Sequence, residues 1–245
     1  MKTIFSVLIL ASLPAFGQEP APPPEPPPRL EASAQFTFLD TRGNATTQSL
    51  GAGGDVIWRP EPWTLTAKAA FAQNETEGEL TARSVTGLLR GERALGEQLS
   101  AYGQYDYLRD VFAGVEQRHV VEGGLSYLAV NVERHTLRFD TGLGYLYEEG
   151  PDEDLKSAIL SVAAAYRYAI SPTSELTYEP RYLLPLEETD GWKFDQEVAL
   201  AVALNTTLAL KLSHILRYSA EPPEGFDTTD TIMAVSLVAR MERPR

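Results

Sequence analysis

Apolar and polar residues alternate along most of the chain from Leu30 onward, in runs that end at turns rich in Gly, Pro, Asn, Asp or Glu. In residues 198–204 (VALAVAL) large aliphatic side chains occupy every second position. In residues 134–149 apolar residues alternate with charged residues and glycine. A strand points successive side chains to opposite faces, whereas the helical period of about 3.6 residues would scatter these sets. The pattern predicts an all-β chain.

The alternating runs predict about twelve antiparallel strands, an even number that suits a closed up-and-down barrel. The run at 80–93 is the weakest, because its apolar residues do not keep to one face. The predicted strands are 30–41, 45–58, 63–74, 80–93, 98–110, 114–129, 134–148, 156–170, 174–186, 192–204, 207–219 and 229–242.

Strand length and aromatic placement favour a barrel that spans a membrane. Strands of soluble proteins run about 5–6 residues, whereas a tilted spanning strand needs about 9–11, and the predicted strands reach that length. Aromatic residues also concentrate near both ends of the predicted strands, where the interfaces of a bilayer would lie. Alternation alone leaves the opposite assignment open, in which the apolar face is the internal core of a soluble β-protein.

The connections between the strands are asymmetric. Every second connection is short, at 59–62, 95–98, 131–134, 171–173 and 205–206. On the other side, the connections at 74–79, 148–154, 186–191 and 220–230 carry fifteen acidic residues and no basic residue. Short turns on one side and longer polar loops on the other are typical of outer-membrane barrels. We therefore predict a transmembrane antiparallel β-barrel in the cell outer membrane, with both termini periplasmic.

The N-terminal residues predict export. Lys2, the apolar stretch 4–13 and the small-x-small sequence at 15–17 are typical of a secretory signal peptide, predicted at 1–17. Residues 18–29 carry seven prolines and predict an extended periplasmic linker, which leaves 30–245 for the barrel. The absence of cysteine excludes disulfides and thiolate metal sites.

The net charge of the chain argues against nucleic acid as a partner and leaves lipids and small solutes as candidates. The net charge of −13 opposes binding to nucleic acid. A barrel in this location would contact outer-membrane lipid and lipopolysaccharide and would need the barrel-assembly machinery for insertion. A small solute or an ion remains a candidate ligand of the lumen.

Charged residues on the polar faces of the strands are the candidate functional residues, because a barrel would gather them in its lumen. A hairpin turn near 112–114 would set Arg109 and Asp110 opposite Glu116 and Arg118. Paired charges would plug the interior, whereas unpaired charges would line a selective path. We favour plugging. The lumen candidates are Arg109, Asp110, Glu116, Arg118, Glu122, Arg138, Asp140, Arg167, Glu179, Arg181, Lys211 and Arg217.

Catalytic and metal-binding patterns are weak in this sequence. Ser213 and His214 are neighbours on one strand and so point to opposite faces. The sequence contains neither the G-x-S-x-G nor the HExxH pattern, and its acidic loops do not match calcium-loop spacing. We predict no catalytic residues, no metal and no cofactor. The favoured function is a non-enzymatic barrel, structural or a narrow passive channel; a soluble periplasmic β-barrel or sandwich binding protein ranks second, and an outer-membrane hydrolase third.

The segment YLRDVFAGVEQRHVVEGGLSYLAV (107–130) resembles the central signature of the YdiY-like salt-induced outer-membrane proteins, domain of unknown function 481. The matching positions are Tyr107, Arg109, Asp110, Phe112, Gly114, Arg118, Gly123, Gly124 and Tyr127. The following TLRFDTGLGYLYEE (136–149) resembles the next strand of that family. The resemblance implies an outer-membrane barrel and no particular activity. The chain departs from the usual barrel ending, because it has no aromatic residue after Phe226.

Overall fold

The computed structural model describes residues 28–41, 47–151, 154–187 and 189–243. The predicted signal peptide and all but the last two residues of the predicted linker lie outside these ranges. Within them, no helix is long and apolar enough to cross a membrane.

The described residues form one closed barrel in which each strand pairs antiparallel with its neighbours in sequence and β1 pairs with β12. The predicted all-β barrel of about twelve strands is confirmed. The strands are β1 (Leu30–Thr41), β2 (Thr47–Trp58), β3 (Trp63–Thr76), β4 (Glu79–Ala94), β5 (Leu99–Asp110), β6 (Val115–Asn131), β7 (His135–Glu149), β8 (Asp154–Ser171), β9 (Ser174–Pro185), β10 (Lys193–Ala203), β11 (Leu208–Ser219) and β12 (Thr229–Arg243).

The two ends of the barrel differ. The turn end holds the start of β1, the end of β12 and the short connections 59–62, 95–98, 132–134, 172–173 and 204–207. The loop end holds the other connections, which include short 3₁₀ turns at Val111–Ala113 and Thr189–Gly191. One predicted long loop is wrong: β3 and β4 are joined by Glu77 and Gly78 alone, whose φ angles of 54° and 82° fit a tight hairpin turn.

The outward face of the strands forms an apolar band. Large apolar side chains such as Phe38, Leu143 and Met233 are well exposed on it. In the described strands, charged residues on the outward rows lie only near the barrel ends, as Arg93 does at the turn end and Arg109 at the loop end. On β7 the apolar row from Leu137 to Tyr147 spans roughly 25 Å along the barrel axis for a strand tilted by about 40°. This height matches the hydrocarbon region of an outer membrane.

Candidate functional site: the barrel lumen

The lumen is crossed by ion pairs at several depths, and the uppermost lies at the loop end. Arg217 on β11 donates to the Asp110 carboxylate at 2.9 Å and to the Ser84 hydroxyl at 3.2 Å. Because β5 and β11 lie opposite each other in the closed strand order, the Arg217–Asp110 pair spans the whole lumen.

The connection 220–228 lies over this pair. A Cβ atom placed on Gly114 would meet side-chain atoms of both Pro223 and Phe226 at 3.0 Å. The connection between β11 and β12 therefore reaches the β5–β6 turn on the opposite wall. The space left beneath it is only about 20 Å³, too little for a solute.

A second set of charges lies below the first. Glu148 on β7 accepts from Arg118 on β6 and, at 3.0 Å, from the Lys193 ammonium on β10. Arg118 also lies 3.9 Å from the Asp195 carboxylate of β10. All of these side chains except Asp195 are largely buried, so the two cations stabilise a carboxylate that has little contact with water.

Arg181 on β9 forms the third set. Its guanidinium lies 3.0 Å from Asp106 on β5 and 2.8 Å from Glu122 on β6, so it links β9 to two strands with which β9 does not pair. Each carboxylate has a further donor, since Gln104 donates to Asp106 at 2.9 Å and the Tyr102 hydroxyl donates to Glu122 at 3.2 Å.

Arg90 on β4 forms the fourth set. It lies 3.1 Å from both Asp140 on β7 and Glu92 on its own strand, and its guanidinium carbon lies 3.9 Å from the centre of the Tyr102 ring. Arg138 approaches the same Asp140 at 3.2 Å. The lumen network, by which we mean these four sets, thus connects β4 to β11.

Apolar side chains close the gaps between the charged sets near the loop end. Val120, Leu146, Ile159 and Leu183, all on inward rows of β6 to β9, pack together and are almost fully buried. Close packing of this kind leaves little room for water among these four side chains. The connection 220–228, the ion pairs and the apolar cluster all lie in the loop-end half of the barrel.

The turn-end half is more open. Lys68 on β3 and Glu179 on the opposite strand β9 are 3.7 Å apart, and their side chains are about half exposed although both face the lumen. Lys211 and Glu197 pair at 2.7 Å on neighbouring strands. At the turn end itself lies a cavity of about 340 Å³, the turn-end pit, lined by Glu133, Arg134, Arg167, Ala169, Ser171, Pro172, Thr173, Ser174, Glu175, Ala201, Ala203 and Arg240.

Ten of the twelve lumen candidates face the interior, and two do not. Arg109 and Glu116 are exposed at the loop end, contrary to the prediction. The pairing of β5 with β6 shifts between Leu108 and Asp110, so that Asp110 pairs with Val115 and Leu108 with Arg118. Arg118 and Asp110 consequently do not pair with each other, and each has an ion-pair partner on a more distant strand.

Sequence reasoning missed several residues of the network. Arg90 and Glu92 lie on the strand whose apolar residues did not keep to one face, since Leu88 faces inward and Leu89 outward. Tyr102 and Asp106 lie on the inward row of β5, and their alternation with outward Ala101, Gly103 and Tyr105 was the available signal. The remaining charged groups that were missed are Lys68, Glu148, Glu175, Lys193, Asp195 and Arg240.

In the described part of the chain, no serine hydroxyl is hydrogen-bonded to a histidine ring. Ser213 is buried on the inward row of β11. The His119 ring is hydrogen-bonded at 2.8 Å to the Tyr105 hydroxyl, and His135 is paired in the same way with Tyr166, all on the outward rows. Within the described ranges, no group of three His, Asp or Glu side chains could hold a metal ion.

Solved structures and known sequences resemble the whole barrel. The COG4313 outer membrane channel from Pseudomonas putida F1 superposes with a TM-score of 0.52 at 10% identity, over 92% of this chain and 100% of the channel. The NanC porin gives a TM-score of 0.47 at 10% identity, over 88% and 100% of the two chains. At 10% identity, the likeness to the COG4313 channel shows the fold alone, which is that of an outer-membrane barrel.

Sequence comparison is more specific. The uncharacterized protein YdiY of Escherichia coli (strain K12) is 26% identical over 211 residues, which are 84% of this chain and 81% of YdiY. The family described as "Protein of unknown function, DUF481" matches residues 34–240. That range covers all but the edges of the barrel, and the resemblance seen in residues 107–149 is confirmed. The chain belongs to the DUF481 family.

Proposed function

We propose that this chain is an outer-membrane barrel with a plugged lumen, which acts as a structural barrel or at most as a narrow passive path for ions. The observation that supports plugging most directly is the set of ion pairs between strands on opposite walls, of which Arg217–Asp110 is the clearest. An open pore of the same strand number would keep its charged side chains on the wall, in contact with water.

The apolar band supports placement in a membrane. A soluble barrel would bury its large apolar residues inside, yet here the interior carries the ion pairs and the outer face carries Phe36, Leu143 and Val235. By the usual arrangement of outer-membrane barrels, the turn end with both chain ends would face the periplasm and the acidic loops would face outward. Lipid and lipopolysaccharide are then the neighbours of the band.

Cell fractionation and gel mobility test the location. We expect the protein to stay with the outer membrane until detergent is added, and to migrate faster when it is not boiled. Release with the periplasmic contents, with a mobility that ignores heating, would contradict membrane insertion and favour a soluble binding protein.

Conductance of single barrels in planar bilayers tests the plug. Wild-type protein should show no steady open state, whereas the variant Arg118→Ala/Arg181→Ala, which removes two cross-lumen cations, should conduct. The matched control Arg93→Ala/Arg109→Ala removes two exposed arginines and should behave like wild type. A large, steady wild-type conductance would show that the lumen is open.

A further inference from the structure

We propose that the turn-end pit is a binding site for a small anion that carries two or more negative charges, as carboxylate or phosphate. This goes beyond the proposed function, because a closed barrel needs no ligand. The pit is a concave site at the one end of the lumen that the network leaves open.

Its size favours a small ligand. A volume of about 340 Å³ falls at the lower end of the range of about 300–1,000 Å³ seen for small-molecule sites. A compact polycarboxylate or a diphosphate fits this volume, whereas a polysaccharide does not. The hydroxyl groups of Ser171, Thr173 and Ser174 add neutral hydrogen-bonding groups to the lining.

Its charge favours an anion. Three arginines, Arg134, Arg167 and Arg240, line the pit against two glutamates, so that the pit has a positive balance within a strongly acidic chain. The four sets of the lumen network above it carry at least as many carboxylates as cations. The pit is therefore a local exception in the electrostatics of this barrel.

The arginines also have donor capacity to spare. Arg167 and Arg240 share the single carboxylate of Glu175, at 4.0 and 3.0 Å respectively. Beyond that carboxylate, Arg167 donates to the hydroxyl of Thr136 at 3.2 Å. A guanidinium has five N–H donors in a planar fork suited to carboxylate and phosphate, and the contacts that Arg167 and Arg240 make with Glu175 and Thr136 among the described residues use only some of them.

Glu175 occupies the position that a ligand anion would compete for. Because it accepts from Arg240 and lies near Arg167, it holds both guanidiniums at the pit and lowers their attraction for a second anion. The substitution Glu175→Gln removes the negative charge and keeps the arginines, so it should strengthen binding of the anion. A merely structural role for the ion pairs would predict the opposite, a loosened pit with no gain in affinity.

Isothermal titration calorimetry of the folded full-length barrel in nonionic detergent tests the proposal, with citrate and pyrophosphate as separate probes. We expect at least one probe to bind wild type, Arg167→Gln/Arg240→Gln to weaken that binding by about ten-fold or more, and Glu175→Gln to strengthen it. Arg93→Gln/Arg109→Gln, which removes the same charge from exposed positions outside the pit, should bind like wild type.

Three results would overturn the proposal: no binding of either probe to wild type, equal losses in the two double-arginine variants, or no gain in Glu175→Gln. Equal losses would mean that only the net charge of the barrel matters. If only citrate or only pyrophosphate binds, and its affinity changes in the variants as expected, the result shows whether the site prefers carboxylate or phosphate. Gel mobility of unboiled samples verifies that each variant is folded. Because this readout needs no ion flow, an open wild-type channel would refute the plug and leave the pit intact.

Discussion

Replacing Arg181 by methionine should destabilise the folded barrel by about 3 kcal/mol. The substitution keeps a long side chain but removes the cation between Asp106 and Glu122, whose carboxylates lie 3.0 and 2.8 Å from it. Removing one partner of a buried ion pair costs about 3–5 kcal/mol, chiefly because the opposite charge is left unpaired.

The lower end of that range applies here for a structural reason. Gln104 and Tyr102 continue to donate to the two carboxylates, so neither loses all of its hydrogen bonds. The loss of stability should not fall below this range because of Glu122. Only 3% of its side chain is exposed, so water cannot replace the guanidinium as its partner.

Equilibrium unfolding in urea, with the barrel in detergent or a thin bilayer, measures this cost through tryptophan fluorescence and gel mobility. Arg181→Met/Asp106→Asn/Glu122→Gln should recover most of the lost stability, because a neutral lumen of similar volume is often as stable as a paired one. The control Arg109→Met removes an exposed arginine and should stay within about 0.5 kcal/mol of wild type. If Arg181→Met falls in that same narrow range, the network contributes no measurable stability and the reasoning is refuted.

Three further perturbations test packing, membrane contact and closure of the lumen. Gly124→Ala should destabilise the barrel by about 1–3 kcal/mol, because a Cβ atom at Gly124 would lie 2.1 Å from the Thr141 carbonyl oxygen. Gly123→Ala should leave the stability unchanged, because a Cβ atom there would lie 3.6 Å from its nearest neighbour. Urea unfolding of both variants measures the difference. Leu143→Arg, at a side chain that is 64% exposed, should cost about 2–4 kcal/mol of unfolding free energy in a bilayer; no effect there would indicate a surface that faces water. Since the chain has no cysteine, Leu146→Cys can be tested with a membrane-impermeant maleimide, which should fail to label it because Leu146 is fully buried. The same reagent should label Ala203→Cys, at a partly exposed position in the pit; labelling of both would show an open lumen.

The strands and their faces were predictable because alternation is a local property of the sequence. In β7 and β11 the predicted outward rows agree with the pairing registers, as for Leu137 on β7 and Leu212 on β11. The predicted strand ends were less accurate where a strand continues beyond the apolar band. The segment 74–79 contains no apolar residue and so resembled a loop, yet its ends extend β3 and β4 to a two-residue turn.

The local charge pairing in the β5–β6 hairpin could not be predicted with the same reliability. Arg109 is exposed by the ordinary alternation of β5, since Leu108 and Asp110 on either side of it face the lumen. The irregularity in register lies on β6, where both Glu116 and Gln117 stand between the inward residues Val115 and Arg118, so that Glu116 is exposed. Since side chains alternate with a period of two, a shift of one residue exchanges the two faces. A sequence pattern gives no direct sign of such a shift when both faces carry charges.

Partners across the lumen depend on a different kind of information. Arg217 and Asp110 are 107 residues apart, and they meet because closure of twelve strands sets β11 opposite β5 and because strand tilt brings these two residues to the same depth. Alternation supplies the face of each residue, but strand number and stagger decide which charges meet, and both are properties of the closed barrel. The same reasoning accounts for the turn-end pit: Arg167, Glu175 and Arg240 come from β8, β9 and β12, and their surplus of positive charge exists only once those strands are joined in one ring.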